Sequence, residues 1–355
     1  MVSDYKKEFE ELVLTVIKEN ASDLHLAEER RPFIRVSGFL IPLTNHKSLS
    51  RQDIKAILDE LIDGPKKEIF LEKKEIDFAY YDIQKNRFRG NAYFAMGKIN
   101  IALRLVPKDI KSFEQLKLPA ILETFANKQQ GFFLVVGPTG QGKSTTLASI
   151  IETINKQRLE HIITIEDPIE YVFESKKSVI DQREVSQDTP DFHTALQGMF
   201  RQDIDVLMIG EMRTPEDIST AVTAAETGHL VFSTLHTNNA AQTVARIIDS
   251  FESAQQTQIR TQLASSLLGV FSQRLVPRVS GGLIPAVELL INNNAVANLI
   301  RENRIHEINS VIETGSADGM IDLNRNLSDL VRAGEITIEN AYLYSQNSKG
   351  LDRML

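Results

Sequence analysis

The sequence lacks cysteine altogether in its 355 residues, which excludes a disulfide framework and a zinc site with thiolate ligands. It also lacks an apolar run long enough to span a bilayer, so no transmembrane segment is expected. Residues 1–14 are charged and amphipathic, unlike a signal peptide. These absences predict a soluble, cytoplasmic protein that reaches a membrane only through a partner.

Long basic blocks are also missing. The chain has 40 Lys and Arg against 48 Asp and Glu, which gives a formal net charge of -8. Because nucleic-acid surfaces are strongly basic, this balance predicts that nucleic acid is not a main partner. The length predicts two or three domains, and a hydrophobic content of 42% is ample for their cores.

What the sequence does contain is a glycine-rich turn between a predicted strand and a predicted helix. Residues 132–136 are an apolar run typical of a buried strand, and residues 143–157 predict a helix. The turn fits the pattern G-x-x-x-x-G-K-[ST] at every fixed position, through Gly137, Pro138, Thr139, Gly140, Gln141, Gly142, Lys143 and Ser144.

This turn has the chemistry of a phosphate-binding loop. Its glycines let backbone N–H groups approach an anion, and the helix N-terminus adds a partial positive charge. The pattern places Lys143 at the β- and γ-phosphates of ATP and the Ser144 hydroxyl on Mg²⁺. Thr145, the next helical residue, completes the predicted nucleotide contacts. The predicted cofactors are therefore ATP and Mg²⁺.

The sequence predicts an α/β protein whose two halves have different patterns. The predicted regions are an N-terminal α/β domain with a mainly antiparallel sheet, a linker, an ATPase core and a helical C-terminal region, at residues 1–105, 106–118, 119–290 and 291–355. Strand and helix alternate in the core, which is typical of a parallel sheet covered by helices. Beyond Gln242 the pattern predicts mostly helix.

Local signals mark some boundaries. Ser37-Gly38 is predicted to form the turn between two N-terminal strands, and Gly64-Pro65 to end a helix. Thr214-Pro215 predicts a helix N-cap followed by proline at the first helical position.

Acidic residues follow two predicted strands of the core. Glu166 comes after the strand at 162–165, and Glu211 comes after the strand at 206–209. Because the carboxyl ends of parallel strands meet at one edge, both acids are expected beside the phosphate loop. Phosphoryl transfer to water needs a carboxylate near the metal or the attacking water. Lys143, Glu166 and Glu211 are thus the predicted catalytic residues, both acids are candidate Mg²⁺ ligands, and which acid activates water is left open.

Histidines and arginines complete the candidates. His229 and His236 flank one predicted strand, and His236 lies at the end where it can sense the γ-phosphate. Charge that develops on a transferred phosphoryl group is often stabilised by arginine from another domain or subunit. The candidate arginines lie on predicted strands before the linker: Arg87, Arg89 and Arg104.

Four segments, taken in order, resemble the PilT-type members of the type II/IV secretion ATPases, the retraction motors of type IV pili. They are GPTGQGKSTT, TIEDPIEY, DVLMIGEMR and AETGHLVFSTLHTNNAAQTVARIID, at residues 137–146, 164–171, 205–213 and 225–249. They resemble the family's Walker A, Asp box, Walker B and His box. Further similar segments, ASDLHL at 21–26 and ANLIREN at 297–303, extend the resemblance over nearly the whole chain.

The resemblance implies a homohexamer whose subunits have a PAS-like N-terminal domain and a RecA-like ATPase domain with a helical tail. ATP is implied to bind between these domains, and domain rotation to drive pilus disassembly through an inner-membrane platform protein of the PilC type. The protein is thereby implied to associate peripherally with the inner membrane. The implied roles are acidic for Glu166 and Glu211, those of the His box for His229 and His236, and phosphate contacts for Arg89 and Arg104.

Alternatives to a retraction motor are of two kinds. Within the family, the chain can be a PilU-like accessory paralogue or a secretion or extension ATPase, although it lacks the four-cysteine zinc insertion of extension-type relatives. It also departs from the family pattern at Gln202-Asp203-Ile204 and at Thr214, which affects expected subunit contacts. Outside it, the alternatives are a nucleic-acid translocase, a small-molecule kinase and a regulatory nucleotide binder. The acidic balance, the long C-terminal tail and the complete set of catalytic residues disfavour these three in turn.

Overall fold

The computed structural model describes residues 2–36 and 38–355, so Ser37 of the predicted Ser37-Gly38 turn lies outside the described residues. The chain folds into two compact units, Met1–Lys108 and Asp109–Leu355, which are described separately below. Within the described ranges, no helix combines the length and the apolar character that crossing a membrane requires.

The N-terminal unit is an antiparallel sheet covered by helices. Its elements are α1 (Val2–Lys18), β1 (Asp23–Ala27), β2 (Phe33–Val36), β3 (Phe39–Pro42), α2 (Arg51–Leu61), α3 (Gly64–Lys73), β4 (Glu75–Tyr81), β5 (Arg87–Ala95) and β6 (Lys98–Leu105). The strand order is β3-β2-β1-β6-β5-β4, and every pairing is antiparallel. The helical spacing of Phe9, Leu12 and Val16 puts these side chains on one buried face of α1, which packs into the core of the unit. The predicted antiparallel sheet is thus observed.

One predicted boundary in this unit is wrong. Gly64-Pro65 was expected to end a helix, but α2 already ends at Leu61, and Gly64-Pro65 begins α3. The N-cap of α3 is Asp63, whose side chain accepts a hydrogen bond from the Lys66 N–H. Proline suits the first turn of a helix, where its missing N–H has no helical partner to lose. The same dipeptide can therefore open a helix as well as close one.

The second unit is built on a mostly parallel sheet. Its first part contains α4 (Leu122–Ala126), β7 (Gly131–Val136), α5 (Lys143–Gln157), β8 (His161–Glu166), β9 (Val179–Glu184), α6 (Phe192–Met199), β10 (Val206–Ile209), α7 (Pro215–Glu226) and β11 (Leu230–Leu235). It continues with α8 (Ala240–Asp249), α9 (Ser253–Ser266), β12 (Leu267–Pro277), β13 (Leu283–Ile291), α10 (Asn294–Arg301), α11 (Ile308–Thr314), α12 (Leu323–Arg332), α13 (Ile338–Tyr344) and α14 (Ser348–Asp352).

The strand order of this sheet is β13-β12-β7-β11-β10-β8-β9, so β7 lies inside it. Neighbouring strands run parallel except for β13, which pairs antiparallel with β12 at the edge. Successive side chains of β7 enter hydrophobic clusters on opposite faces, Phe132 on one and Phe133 on the other. Because both faces are covered, β7 reads as a continuous apolar run rather than as an alternating one.

The prediction of mostly helix beyond Gln242 is wrong for β12 and β13. Strand β12 is a long, largely buried apolar run, and periodicity alone does not distinguish such a run from a buried helix. Helix α9 ends at Ser266 and β12 begins at Leu267, so no glycine or proline marks the change. The pairing of β12 with β7, more than a hundred residues earlier in the chain, decides its conformation.

Candidate functional site

The phosphate loop joins β7 to α5 with its glycines in conformations that other residues rarely adopt. Gly137 and Gly142 have φ angles of +148° and +80°. A Cβ at Gly137 would lie 2.5 Å from the Gln273 carbonyl oxygen, so a larger residue does not fit there. Gly142 is the N-cap of α5, and no described side chain caps this helix start. The backbone N–H groups of its first turn thus remain available to an anion.

Lys143, the first residue of α5, folds back over this loop. Its Nζ donates to the carbonyl oxygens of Gly137 at 2.9 Å and Pro138 at 3.0 Å. Burial lowers the pKa of Lys143, and the negative charges of Glu211 and Glu170 act in the opposite direction. The sequence pattern placed Lys143 at the β- and γ-phosphates, and in the structure its desolvated ammonium group lies against the phosphate loop.

Glu166 ends β8 as a buried carboxyl, with 6% of the residue exposed. Its Oε1 accepts hydrogen bonds from Thr164 Oγ1 at 2.7 Å and Gln182 Nε2 at 3.2 Å, and its Oε2 accepts one from the Glu170 N–H at 3.3 Å. Burial raises the pKa of Glu166 to about 7, and these hydrogen bonds oppose the rise. Glu166 therefore changes its charge near neutral pH.

Glu211 follows β10 and has the opposite electrostatic character. Its Oε1 accepts a hydrogen bond from Arg213 Nε, and Arg213 also pairs with Asp167 at 2.9 Å through its Nη1. Burial alone would raise the pKa of Glu211, but the hydrogen bond and charge of Arg213, together with His236, lower it below its ordinary value. Two carboxyls beside one loop thus have pKa values pushed apart, which is how neighbouring acids acquire different roles.

His236 lies between the lysine and Glu211. Its Nδ1 is 3.4 Å from Lys143 Nζ, and its Nε2 is 3.3 Å from Glu211 Oε2. An ammonium can only donate and an ionised carboxylate can only accept. A neutral imidazole with its proton on Nε2 satisfies both neighbours, so the geometry selects that tautomer.

The other candidate histidine is not part of this cluster. His229 precedes β11 and His236 follows it, so the fully buried strand separates the two rings. The Nδ1 of His229 lies 3.0 Å from the Ala224 carbonyl oxygen, and its ring packs edge-on against Phe200 at 5.9 Å. Within one chain, His229 therefore lies at the opposite end of β11 from the phosphate loop.

A cleft of about 200 Å³ opens at the carboxyl ends of the strands. It brings together most of the residues singled out from the sequence, and its lining includes Thr139, Gly140, Lys143, Ser144, Glu166, Glu211 and His236. Thr145 lies at its side, where its Oγ1 is 2.8 Å from the Tyr171 hydroxyl. Residues that the sequence did not single out also contribute, namely Tyr171, Gln182, Arg213 and Gln273. Tyr171 and Arg213 lie within the quoted segments 164–171 and 205–213, whereas Gln182 and Gln273 lie outside all of them and act on distant parts of the chain.

The donor set of this cleft suits Mg²⁺. The Ser144 hydroxyl and the carboxylates of Glu166 and Glu211 all line the cleft, and Mg²⁺ prefers such oxygen ligands. In the described part of the chain, no group of three or more His, Asp and Glu side chains forms a ready-made metal site.

The candidate arginines lie in the N-terminal unit on adjacent strands. Arg89 of β5 and Arg104 of β6 are direct cross-strand partners, so their side chains leave the same face of the sheet. Arg104 Nε donates to Asp23 Oδ1 at 2.7 Å, while its side chain remains 63% exposed. Arg87 is buried, with 2% exposed, and lies 5.9 Å from the Tyr81 ring. The side chain of Arg104 is thus largely exposed, whereas Arg87 is buried.

Fold and site together define the class of this protein. A complete phosphate loop at the edge of a mostly parallel sheet, with acids from neighbouring strands beside it, makes it a P-loop ATPase with a RecA-like nucleotide-binding unit. The family model for type II/IV secretion system proteins matches residues 5–282 of this chain. The chain belongs to this family.

Known relatives agree with the resemblance seen in the sequence. The twitching motility protein of Neisseria gonorrhoeae is 44% identical over 321 residues, covering 90% of this chain and 86% of that protein. The type IV pilus retraction ATPase PilT of Pseudomonas aeruginosa is 40% identical over 331 residues, covering 93% and 96%. The crystal structure of the pilus retraction motor PilT with bound ADP superposes with a TM-score of 0.91 at 41% identity, covering 97% of this chain and 98% of the other. The resemblance to PilT-type ATPases is thus confirmed.

Proposed function

We propose that this protein is a homohexameric motor that uses ATP hydrolysis to retract type IV pili. The observation that carries the proposal is the match, over nearly the full length of both chains, to proteins named for pilus retraction and twitching motility. The cluster of Lys143, Glu166, Glu211 and His236 at the phosphate loop supports it, because a motor needs hydrolysis and not only binding.

In this proposal the 137–144 loop wraps the phosphates of ATP, and Lys143 leaves its two carbonyl partners to contact the β- and γ-phosphates. Mg²⁺, when bound, neutralises charge on the phosphate oxygens and would be held through Ser144 and a carboxylate. Glu211 is ionised, so it can accept a proton from the attacking water. His236 Nε2 contacts the Oε2 atom of Glu211 and keeps this carboxylate in place. His236 also contacts Lys143, so one imidazole links the lysine of the phosphate loop to Glu211, the proposed general base.

Glu166 is proposed to act as the second acid, near the metal and its waters. A buried carboxyl whose pKa is about 7 is protonated below that pH and ionised above it. The unfolded chain ionises this residue near its ordinary pKa of about 4.3. Between these values the folded state therefore binds one proton more than the unfolded state, and the free energy of unfolding falls as pH rises.

Replacement of this acid tests that assignment. Glu166→Gln should remove one proton's share of the pH dependence between about pH 4.5 and 7, a change on the order of 3 kcal/mol across the window. Denaturant unfolding at several pH values measures how steeply the free energy of unfolding changes with pH. The matched control is Glu288→Gln, because burial also raises the pKa of Glu288 to about 7. It should flatten the slope equally while the pH profile of ATP hydrolysis stays that of the wild type. An unchanged slope in Glu166→Gln would mean that Glu166 is ionised throughout the window.

Arg89 and Arg104 are proposed to contact nucleotide phosphates, as the family resemblance implies. Arg104→Ala should lower ATP turnover about tenfold or more, because it removes a cation that stabilises charge on the transferred phosphoryl group. The control is Arg35→Ala, since Arg35 also pairs with Asp23, at 3.8 Å. Steady-state phosphate release is compared with the melting temperature for both variants. Equal losses of activity in the two would mark the role of Arg104 as structural.

Two measurements test the motor itself. Native mass spectrometry with ATP present should show six subunits, whereas a monomer or dimer would contradict the ring.

Cells that lack the protein should extend pili but fail to retract them, and the wild-type chain should restore retraction while Lys143→Ala should not. Retraction that persists without this chain would assign it an accessory role beside a paralogous ATPase. The inner-membrane platform protein is the partner expected in a pull-down from such cells.

A further inference from the structure

Gln273 lies outside every motif of the sequence but next to the phosphate loop. It is on β12 and is buried, with 3% exposed. Strand β12 pairs in parallel with β7, and its Ser272 is opposite Val136, the last residue of β7. Where β7 gives way to the loop, β12 therefore continues alongside it, and Gln273 is the first residue at that level.

The amide of Gln273 bridges two parts of the nucleotide-binding segment. Its Oε1 accepts a hydrogen bond from Thr146 Oγ1 at 2.7 Å, in the first turn of α5. Its Nε2 donates to the Gln141 carbonyl oxygen at 2.7 Å, in the loop. Because a carbonyl can only accept, the Gln141 contact fixes which end of the amide faces the loop. Both ends of one buried side chain are thus committed.

The backbone around Gln273 closes the arrangement. A Cβ at Gly137 would lie 2.5 Å from the Gln273 carbonyl oxygen, and one at Gly142 would lie 2.8 Å from its Nε2. The Leu275 N–H donates to the Gln141 side-chain oxygen at 2.6 Å. The start and the end of the loop therefore both rest against β12, and at Gly137 a side chain would collide with the backbone of that strand.

We propose that Gln273 is a positioning residue that holds the 137–142 loop in the shape that presents its N–H groups to nucleotide phosphates. A loop ordered in advance loses less freedom on binding, so the bracing contributes to nucleotide affinity. The proposal rests on the nucleotide-binding role of the loop proposed above. Gln273 need not touch the nucleotide, because it acts through Gln141 and Thr146.

The test is the affinity of the full-length protein for ADP, measured by calorimetry, together with steady-state ATP hydrolysis. Gln273→Met keeps the length of the side chain but leaves the Gln141 carbonyl and the Thr146 hydroxyl without their amide partner. The Kd for ADP and the KM for ATP should rise about tenfold or more, with a smaller change in kcat. In a double-mutant cycle, Thr146→Val should cost less affinity in the Gln273→Met background than in the wild type.

The matched control is another buried amide. Asn155 lies on α5 about 18 Å from Lys143 along the helix axis, is fully buried, and bonds the Glu174 carbonyl at 2.8 Å. Asn155→Leu should lower the unfolding midpoint as Gln273→Met does, yet leave the Kd for ADP unchanged. Wild-type affinity in Gln273→Met, or an equal rise in Asn155→Leu, overturns the role of Gln273. A wild-type protein that does not bind ADP overturns the loop assignment itself, which is a separate result.

Discussion

Lys143→Ala should abolish nucleotide binding without unfolding the protein. The substitution deletes the lysine of the phosphate-loop pattern, which is proposed to contact the β- and γ-phosphates, so the Kd for ADP is expected to rise at least about a hundredfold. Its effect on the protein without nucleotide should be small, because burial lowers the pKa of this lysine and its charge is costly to hold in the fold. The melting temperature without ligand should stay close to that of the wild type, while the increase that ADP produces should disappear.

The measurement is a thermal melt with and without ADP, supported by calorimetric titration. The control is Lys156→Ala, in the last turn of the same helix, where the lysine pairs with Glu152 at 3.1 Å. This variant should keep the response to ADP. A Lys143→Ala protein that still gains stability from ADP would show that the 137–144 loop is not where the phosphates bind.

Glu211→Gln should separate binding from hydrolysis. The amide keeps the size of the side chain but cannot accept a proton from water, so turnover should fall by about 10²–10⁴. Affinity for ATP should be retained or improve, because the change removes a negative charge beside the phosphates. The contrast with Lys143→Ala is direct, since one variant loses binding and the other loses only the chemical step.

Phosphate release under saturating ATP measures turnover, and a parallel titration of a non-hydrolysable ATP analogue measures affinity. Glu226→Gln serves as the control, because Glu226 ends α7 away from the cleft and bonds Gln262 and Ser265 at 2.8 and 3.1 Å. Turnover at the wild-type rate in Glu211→Gln would remove Glu211 from the proposed chemistry and direct attention to Glu166.

The parts of the site that the sequence predicted are those whose residues are adjacent in the chain or are related by a general rule. The loop from Gly137 to Ser144 is a contiguous pattern, and its strand and helix flank it directly. Glu166, Glu211 and His236 could be placed because parallel strands open onto one edge. The same rule separates His236 from His229, because His236 follows β11 and His229 precedes it.

The parts that escaped prediction depend on distant partners. Gln273 acts on Gln141, which is 132 residues earlier, and β12 takes its strand conformation from pairing with β7. Arg213 is two residues from Glu211, yet its bridge to Asp167 exists only because β8 and β10 are neighbours in the sheet. Gly64-Pro65 failed for a local reason, since the same residues suit either end of a helix. Contacts between residues far apart in the chain, and residues that suit either end of a helix, are therefore the two features that sequence alone did not resolve.

The place of β12 beside β7 has a consequence for the newly made chain. During synthesis, a nascent polypeptide that has emerged as far as α9 already carries every motif residue of the nucleotide site. The strand that carries Gln273 is translated only afterwards, so under the role proposed for Gln273 we expect full affinity for nucleotide only once β12 has been added to the sheet.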